Sequence, residues 1–224
     1  MFLKCIATGS KGNSYILTDE SGESLILDCG VRSKDIKQAL NFDFSKVSGV
    51  LVTHIHKDHS QSADELETYG LDVWMPERRN RKTFGSYAVS AFELPHGETP
   101  CCGFYIRHIN GFKMLYLTDF QCCPYRFIKQ EINAILIECN WDKRFVPLDA
   151  PYTNHKIMDH TSTDVCKEFI KVNATKNLRS VILCHYSNAV DIFAEVEEIK
   201  NIVPQANVEY AEKGKEIFIN ENQD

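Results

Sequence analysis

Two β-sheets packed face to face, with helices on their outer faces, are the α/β architecture that this 224-residue sequence predicts. Three observations carry that reading. Short apolar runs with strand character fill the first half of the chain. Helical periodicity is clearest in two later stretches, each followed by strand signals. Wholly apolar strands occur beside alternating ones, as they do where a sheet is covered on both sides.

In order, strand signals fall at residues 3–7, 14–18, 24–27, 49–52, 72–75 and 87–94. Segments 105–109 and 112–117 flank Asn110-Gly111, read as a two-residue hairpin turn. Segments 134–137 and 181–183 are apolar throughout and read as buried strands, and 206–210 and 216–219 close the series. Residues 163–172 place Val165, Phe169 and Val172 on one helical stripe, with Ser162 or Thr163 as the N-cap. Residues 188–203 do the same with Ile192, Val196, Ile199 and Val203 before Pro204 stops them. Shorter helices are expected at 33–40, 60–69 and 77–84. With no repeat, low-complexity tract or linker, the sequence reads as one domain over residues 1–224.

Composition narrows the function. Hydrophobic residues are 43% and charged residues 25%, the balance of a packed protein and not of a disordered chain. A net charge of -6 argues against a broad nucleic-acid surface, while leaving room for a local basic groove. No apolar run nears the roughly 20 residues that span a bilayer. The first residues read as a strand and not as a secretory leader. Nine cysteines, odd in number and without a C-x-x-C spacing, fit reduced thiols in a cytoplasmic protein better than disulfides or a thiolate metal knuckle.

The decisive segment runs Val50-Leu51-Val52-Thr53-His54-Ile55-His56-Lys57-Asp58-His59. A buried strand ends at Thr53 and delivers three histidines and an aspartate. In extended chain His54 and His56 share a side and can grip one cation, while Asp58 and His59, where the chain turns into a helix, can face a second. By chance such a run arises in on the order of one chain in a thousand. Four more positions sit at strand ends and fit the same centre: Asp28, His96, Asp119 and His185. Asp119 has two oxygens and can bridge two ions.

The run His54-x-His56-x-Asp58-His59, followed in order by His96, Asp119 and His185, resembles the metallo-β-lactamase superfamily. Gly9-Ser10-Lys11-Gly12-Asn13-Ser14, Leu25-Ile26-Leu27-Asp28-Cys29-Gly30, Glu138-Cys139-Asn140-Trp141-Asp142 and Cys184-His185-Tyr186-Ser187-Asn188 resemble its YycJ/WalJ-like subgroup. The resemblance implies a four-layer αββα sandwich with two divalent ions on one edge, zinc foremost and manganese the alternative at the more oxygen-rich site. It assigns His54, His56 and His96 to the first ion and Asp58, His59 and His185 to the second, with Asp119 bridging. Asp28 then orients a ligand histidine, and Ser10 and Asn13 lie near the metal edge as a phosphate contact. In phosphodiesterase branches a non-ligand histidine before a helix and a glutamate on a strand act on the scissile phosphate. His160 and Glu138 match that pattern, although Thr161-Ser162-Thr163 departs from the run usual after this histidine. The implied activity is hydrolysis of a phosphodiester by a metal-bridging hydroxide, on DNA ends, single- or double-stranded, on oligonucleotides or on a nucleotide diester. The alternative on the same fold is a hydrolase of thioesters, lactones or β-lactams. Only 40 residues separate Asp119 from His160, too few for a large inserted domain. The basic run Glu77-Arg78-Arg79-Asn80-Arg81-Lys82 reads as a solvated helix face, with guidance of a phosphate backbone as its functional alternative. His108 and His155 read as surface residues.

Overall fold

The computed structural model describes residues 1–146 and 159–219. The first sheet has six strands: β1 (Phe2–Ala7), β2 (Ser14–Thr18), β3 (Ser24–Leu27), β4 (Val47–Leu51), β5 (Val73–Trp74) and, from the far end of the chain, β13 (Glu216–Phe218), in the order β13-β1-β2-β3-β4-β5. The second has seven: β6 (Asn80–Phe84), β7 (Tyr87–Leu94), β8 (Cys101–His108), β9 (Lys113–Leu117), β10 (Ala134–Glu138), β11 (Ser180–Cys184) and β12 (Asn207–Tyr210), in the order β12-β11-β10-β9-β8-β7-β6. Pairing is antiparallel from β6 to β9 and parallel from β9 to β12; in the first sheet β3, β4 and β5 run parallel.

Side chains alternate across each strand, and every layer is visible in that alternation. Leu25 and Leu27 of β3 enter the core between the sheets with Met114 and Tyr116 of β9. Ile26, one residue along, faces outward with Val50 and Val52 beneath α1 (Ser33–Ala39) and α3 (Ala63–Thr68), whose Ile36 and Leu66 cover them. Leu115 and Leu117 face the opposite outer side, with Ile135, Ile137, Val181 and Leu183 under α4 (Thr163–Asn173) and α5 (Ile192–Ile202). The apolar strands are apolar because both their faces are covered, so the αββα expectation holds. No helix of the described residues is long and apolar enough to cross a membrane. All nine cysteines are free thiols.

Four local expectations are corrected. The expected helix at 77–84 is instead β6, paired antiparallel to β7 through a tight turn at Gly85-Ser86 that brings Phe84 opposite Tyr87. β6 is an edge strand, and its Arg and Lys residues are suited to an edge, where charge discourages pairing with other chains. The helix expected at 60–69 is divided into α2 (Lys57–Ser60) and α3. The hairpin between β8 and β9 closes through three residues, 109–111: the His108 amide donates to Phe112 O (2.9 Å), and Gly111 takes a left-handed φ of 94°. His108 is also buried instead of exposed, its ring 4.8 Å from that of Tyr87 and Nε2 3.2 Å from Asp19 Oδ2. His155 lies outside the described residues.

The topology fixes where chemistry can occur. β1, β3, β4, β7, β9, β10 and β11 all end on one edge of the sandwich. In an α/β sheet, that carboxyl-end edge is where binding groups converge.

Candidate metal centre

Asp28 follows β3, His54 follows β4, His96 follows β7, Asp119 follows β9, Glu138 ends β10 and His185 follows β11. Three of them, Asp28, Asp119 and His185, have left-handed φ angles of 55°, 50° and 45°. Asp and His tolerate this region better than branched residues, and here it turns the chain sharply as each strand ends.

Hydrogen bonds fix the tautomers of the imidazoles. Asp28 accepts from the Thr53 amide (2.8 Å), the Thr53 hydroxyl (3.1 Å), the Tyr116 hydroxyl (2.5 Å) and Nδ1 of His59 (2.7 Å). His59 therefore carries its proton on Nδ1, and its Nε2 lone pair faces inward, 3.2 Å from Asp119 Oδ1 and 3.4 Å from Asp58 Oδ2. Because the Thr53 hydroxyl proton is committed to Asp28, His54 donates from Nδ1 to that oxygen (3.0 Å), which leaves Nε2 as a lone pair. His96 donates from Nδ1 to the Asp159 carbonyl (2.8 Å), with the same result. His54 Nε2 and His96 Nε2 then meet His56 Nδ1 at 3.0 and 3.1 Å. A proton on His56 Nδ1 could serve only one of these two lone pairs, whereas a cation among the three nitrogens meets them all.

The second group comprises Asp58, His59, Asp119 and His185, whose donor atoms lie within 4.8 Å of one another. His185 directs Nδ1 at Asp119 and at Glu138 Oε1 (3.1 Å), and its Nε2 is buried without a hydrogen-bond partner. That orphaned nitrogen lies 3.9 Å from Asp58 Oδ2. Electrostatics agree with a cation site. Burial would raise the Asp119 carboxyl, but His185 and His59 hold it well below the usual carboxylate range. Burial would lower His59 and His185, yet Asp119, with Asp28 beside His59 and Glu138 beside His185, raises both, His185 to about 10. The carboxylates demand positive charge, and a pair of divalent ions meets that demand in place of protons. His54 and His96, pushed down chiefly by burial, stay in the neutral form that ligates. The donor set fits two divalent ions.

Glu138 and His160 adjoin this group. His160 Nδ1 donates to Glu138 Oε1 at 2.8 Å, and the ring centroid lies 5.2 Å from that of His185 and 6.1 Å from that of His96. The other Glu138 oxygen accepts from the amides of Phe120 (3.2 Å) and Thr161 (3.1 Å). Burial would raise Glu138, but His160 and His185 hold it down; burial would lower His160, but Glu138 and Asp119 raise it. The Thr161-Ser162-Thr163 run is structural here: Thr161 ties down Glu138 and the Phe120 carbonyl, and Ser162 caps α4 by accepting from the Val165 amide (3.2 Å).

A family model described as "Anti-Pycsar protein Apyc1" matches residues 5–70, which include the His54-to-His59 run. The exodeoxyribonuclease YycJ of Bacillus anthracis is 30% identical over 167 residues, 61% of this chain and 62% of that protein. The chain thus matches a little under two thirds of that relative's length. The metallo-β-lactamase-fold protein YhfI of Bacillus subtilis superposes with a TM-score of 0.73 at 16% identity, covering 96% of this chain and 98% of the other. This is a metallo-β-lactamase-fold protein, YycJ-like in sequence. The short form of human tRNase Z shares the metallo-β-lactamase architecture, with a TM-score of 0.66 at 17% identity over 98% of this chain and all of that one.

On this metallo-β-lactamase edge the seven expected ligand residues converge as two groups, with Asp28 behind His59 and Glu138 beside His160. Asn13 lies at this edge as expected, but its side chain is turned to the protein. It is buried and committed to the framework: Oδ1 accepts from the Gly9 amide (2.9 Å), and Nδ2 reaches Gly9 O, Asp58 O and His59 Nε2 (3.1 Å). Ser10 is exposed and lines a cleft of about 530 Å³ that opens beside His185, whose amide donates to Thr8 (2.8 Å). Thr53, Tyr116 and Gly30 escaped the sequence reading. A Cβ on Gly30 would stand 1.6 Å from Asp58 O and 2.5 Å from His59 N. Only glycine lets the β3 loop pass this close to α2. Gly30→Ala is therefore expected to destabilise the fold by roughly 3 kcal/mol and to loosen metal retention. Thermal unfolding of the purified variant checks this, and an unchanged melting temperature would refute the packing argument.

Proposed function

We propose that this chain is a dinuclear metal-dependent phosphodiesterase, most simply a nuclease acting on DNA ends or oligonucleotides. His54, His56 and His96 would hold one ion, Asp58, His59 and His185 the other, with Asp119 shared. When bound, a pair of divalent ions polarises a phosphoryl oxygen and draws the pKa of water toward neutrality. The chain's own residues do the rest. Asp28 and the Asp159 carbonyl hold His59 and His96 in the tautomer that ligates. Lys11, Ser10 and Asn188 line the adjoining cleft, where the flanking part of a diester fits.

One observation carries the choice of phosphodiester over thioester substrates: an imidazole outside the seven-residue set, oriented by a buried carboxylate at 2.8 Å. With Nδ1 held by Glu138, Nε2 is the nitrogen left to give a proton to a departing alkoxide. Departure of an alkoxide needs that proton far more than departure of a thiolate does. The relatives support the same reading, since one is named as an exodeoxyribonuclease and a structural neighbour as a tRNase Z.

A substrate panel tests it. With zinc or manganese added, the protein is expected to hydrolyse bis-p-nitrophenyl phosphate and end-labelled DNA, and chelation to stop both. Turnover of a glutathione thioester, a lactone or a β-lactam with no phosphodiester cleaved would reverse the assignment.

A further inference from the structure

The basic run on β6 has no part in the metal centre, yet the fold does not leave it isolated. Arg79 and Arg81 come from β6 and the residue before it, Arg107 from β8, and Arg126 from the segment after Asp119. Together they line one cleft of about 380 Å³ on the outer face of the second sheet. These are four of the chain's eight arginines, and no Asp or Glu lines the cleft, although the chain as a whole carries -6. All four are exposed, and none forms an ion pair among the described residues. Helices α4 and α5 pack toward β10 and β12, so among the described residues neither helix covers this end of the sheet.

The floor of the cleft is aromatic. Tyr105 and Tyr125 are half-buried and also line it. Tyr125 stands edge-on to Phe92 (5.7 Å), Tyr105 packs against Phe127 (6.3 Å), and the Arg107 guanidinium lies 5.9 Å from the Tyr105 ring. Fixed ring faces between unpaired guanidinium groups are what a polynucleotide strand needs: stacking for unpaired bases and charge for phosphates. Two of the segments that line the cleft lead on to the metal centre. Phe92 precedes His96 by four residues, roughly 13 Å at strand spacing, and Tyr125 follows Asp119 by six.

We infer that this arginine–tyrosine cleft binds the single-stranded part of a polynucleotide substrate, holding the strand while its end lies at the metal centre. For what the strand is held there to undergo, the inference rests on the phosphodiesterase reading; the binding itself does not. The test uses the full chain with its metals and a fluorescein-labelled, nuclease-resistant phosphorothioate oligothymidylate of twelve nucleotides. In Arg81→Gln/Arg107→Gln the dissociation constant is expected to rise about tenfold or more at low salt. The slope of log affinity against log salt is expected to fall by about 1.4, or roughly 0.7 per lost phosphate contact. Turnover of bis-p-nitrophenyl phosphate should stay within twofold, since neither arginine belongs to the metal centre. An abasic oligomer of equal length should bind more weakly than oligothymidylate.

Binding indifferent to the two arginines would overturn the inference, as would a blunt duplex bound as tightly as the single strand. Parallel loss of small-diester turnover would overturn it too, because the arginines would then be supporting the fold. If no diester is cleaved but the strand binds through the arginines, the phosphodiesterase reading fails and the cleft stands. The reverse pattern removes the cleft and leaves that reading intact.

Discussion

Replacing Asp58 by alanine is expected to lower bound metal from about two ions to about one per chain and to cut diester turnover by at least ~10³-fold, about 4 kcal/mol of barrier, with little change in melting temperature. The position suits this separation of function from fold. The carboxylate is partly solvent-exposed, with 27% of its side chain accessible, and Oδ2 faces His59 Nε2 and His185 Nε2 at 3.4 and 3.9 Å. The structural contribution of the residue is made by its backbone: Asp58 O accepts from the Asn13 amide (2.7 Å) and from Asn13 Nδ2 (3.3 Å). Alanine keeps both. Truncating His59 instead would leave the fully buried Asp28 carboxylate without one of its donors and confuse loss of metal with loss of stability. The tris-histidine group of His54, His56 and His96 does not touch Asp58, so its ion should remain. Elemental analysis beside a diester assay reads both effects. Two retained ions, or wild-type turnover, would remove Asp58 from the metal centre.

That prediction was available before any coordinates, because the signal lies within six consecutive residues. The rest of the ligand set was legible for a different reason. Asp119 and His185 each follow a largely apolar, buried strand and His96 an alternating one, and a polar residue at such a strand end leaves the core at the sheet edge. Residues that set the chemistry by pairing across long distances were not legible. Asn13 meets His59 across 46 positions, and Tyr116 meets Asp28 across 88; no local pattern marks either pair. Gly30 could have been suspected from its place after Asp28, but the closeness of the Asp58 carbonyl is a tertiary fact. The segment at 77–84 failed because its charged residues suit a helix surface as well as an edge strand, and only pairing with β7 decides between them. His108 failed because a histidine beside a hairpin turn is ordinarily exposed, whereas Tyr87 and Asp19 enclose it here.

His160→Ala should give a loss that depends on the leaving group. For a DNA diester, whose departing oxygen is a poor leaving group, the rate is expected to fall about 10²- to 10³-fold, the usual range for a positioned acid. For a nitrophenyl ester, which leaves as a stable anion, the loss should stay below about tenfold. The geometry favours this outcome because removing the imidazole disturbs little else. Glu138 keeps the Phe120 and Thr161 amides and His185 Nδ1 (3.1 Å) as donors, so the carboxylate stays in place. Metal content supplies a second and independent reading. Asp119, Glu138, His160 and His185 also lie close enough to form a donor group of their own, which makes His160 a rival candidate for a ligand. An acid leaves the metal count unchanged when it is deleted; a ligand does not. Two ions retained with a selective loss on DNA would establish His160 as the proton donor. An ion lost, with equal falls on both substrates, would move it into the coordination sphere and return the choice between phosphodiester and thioester substrates to the panel alone.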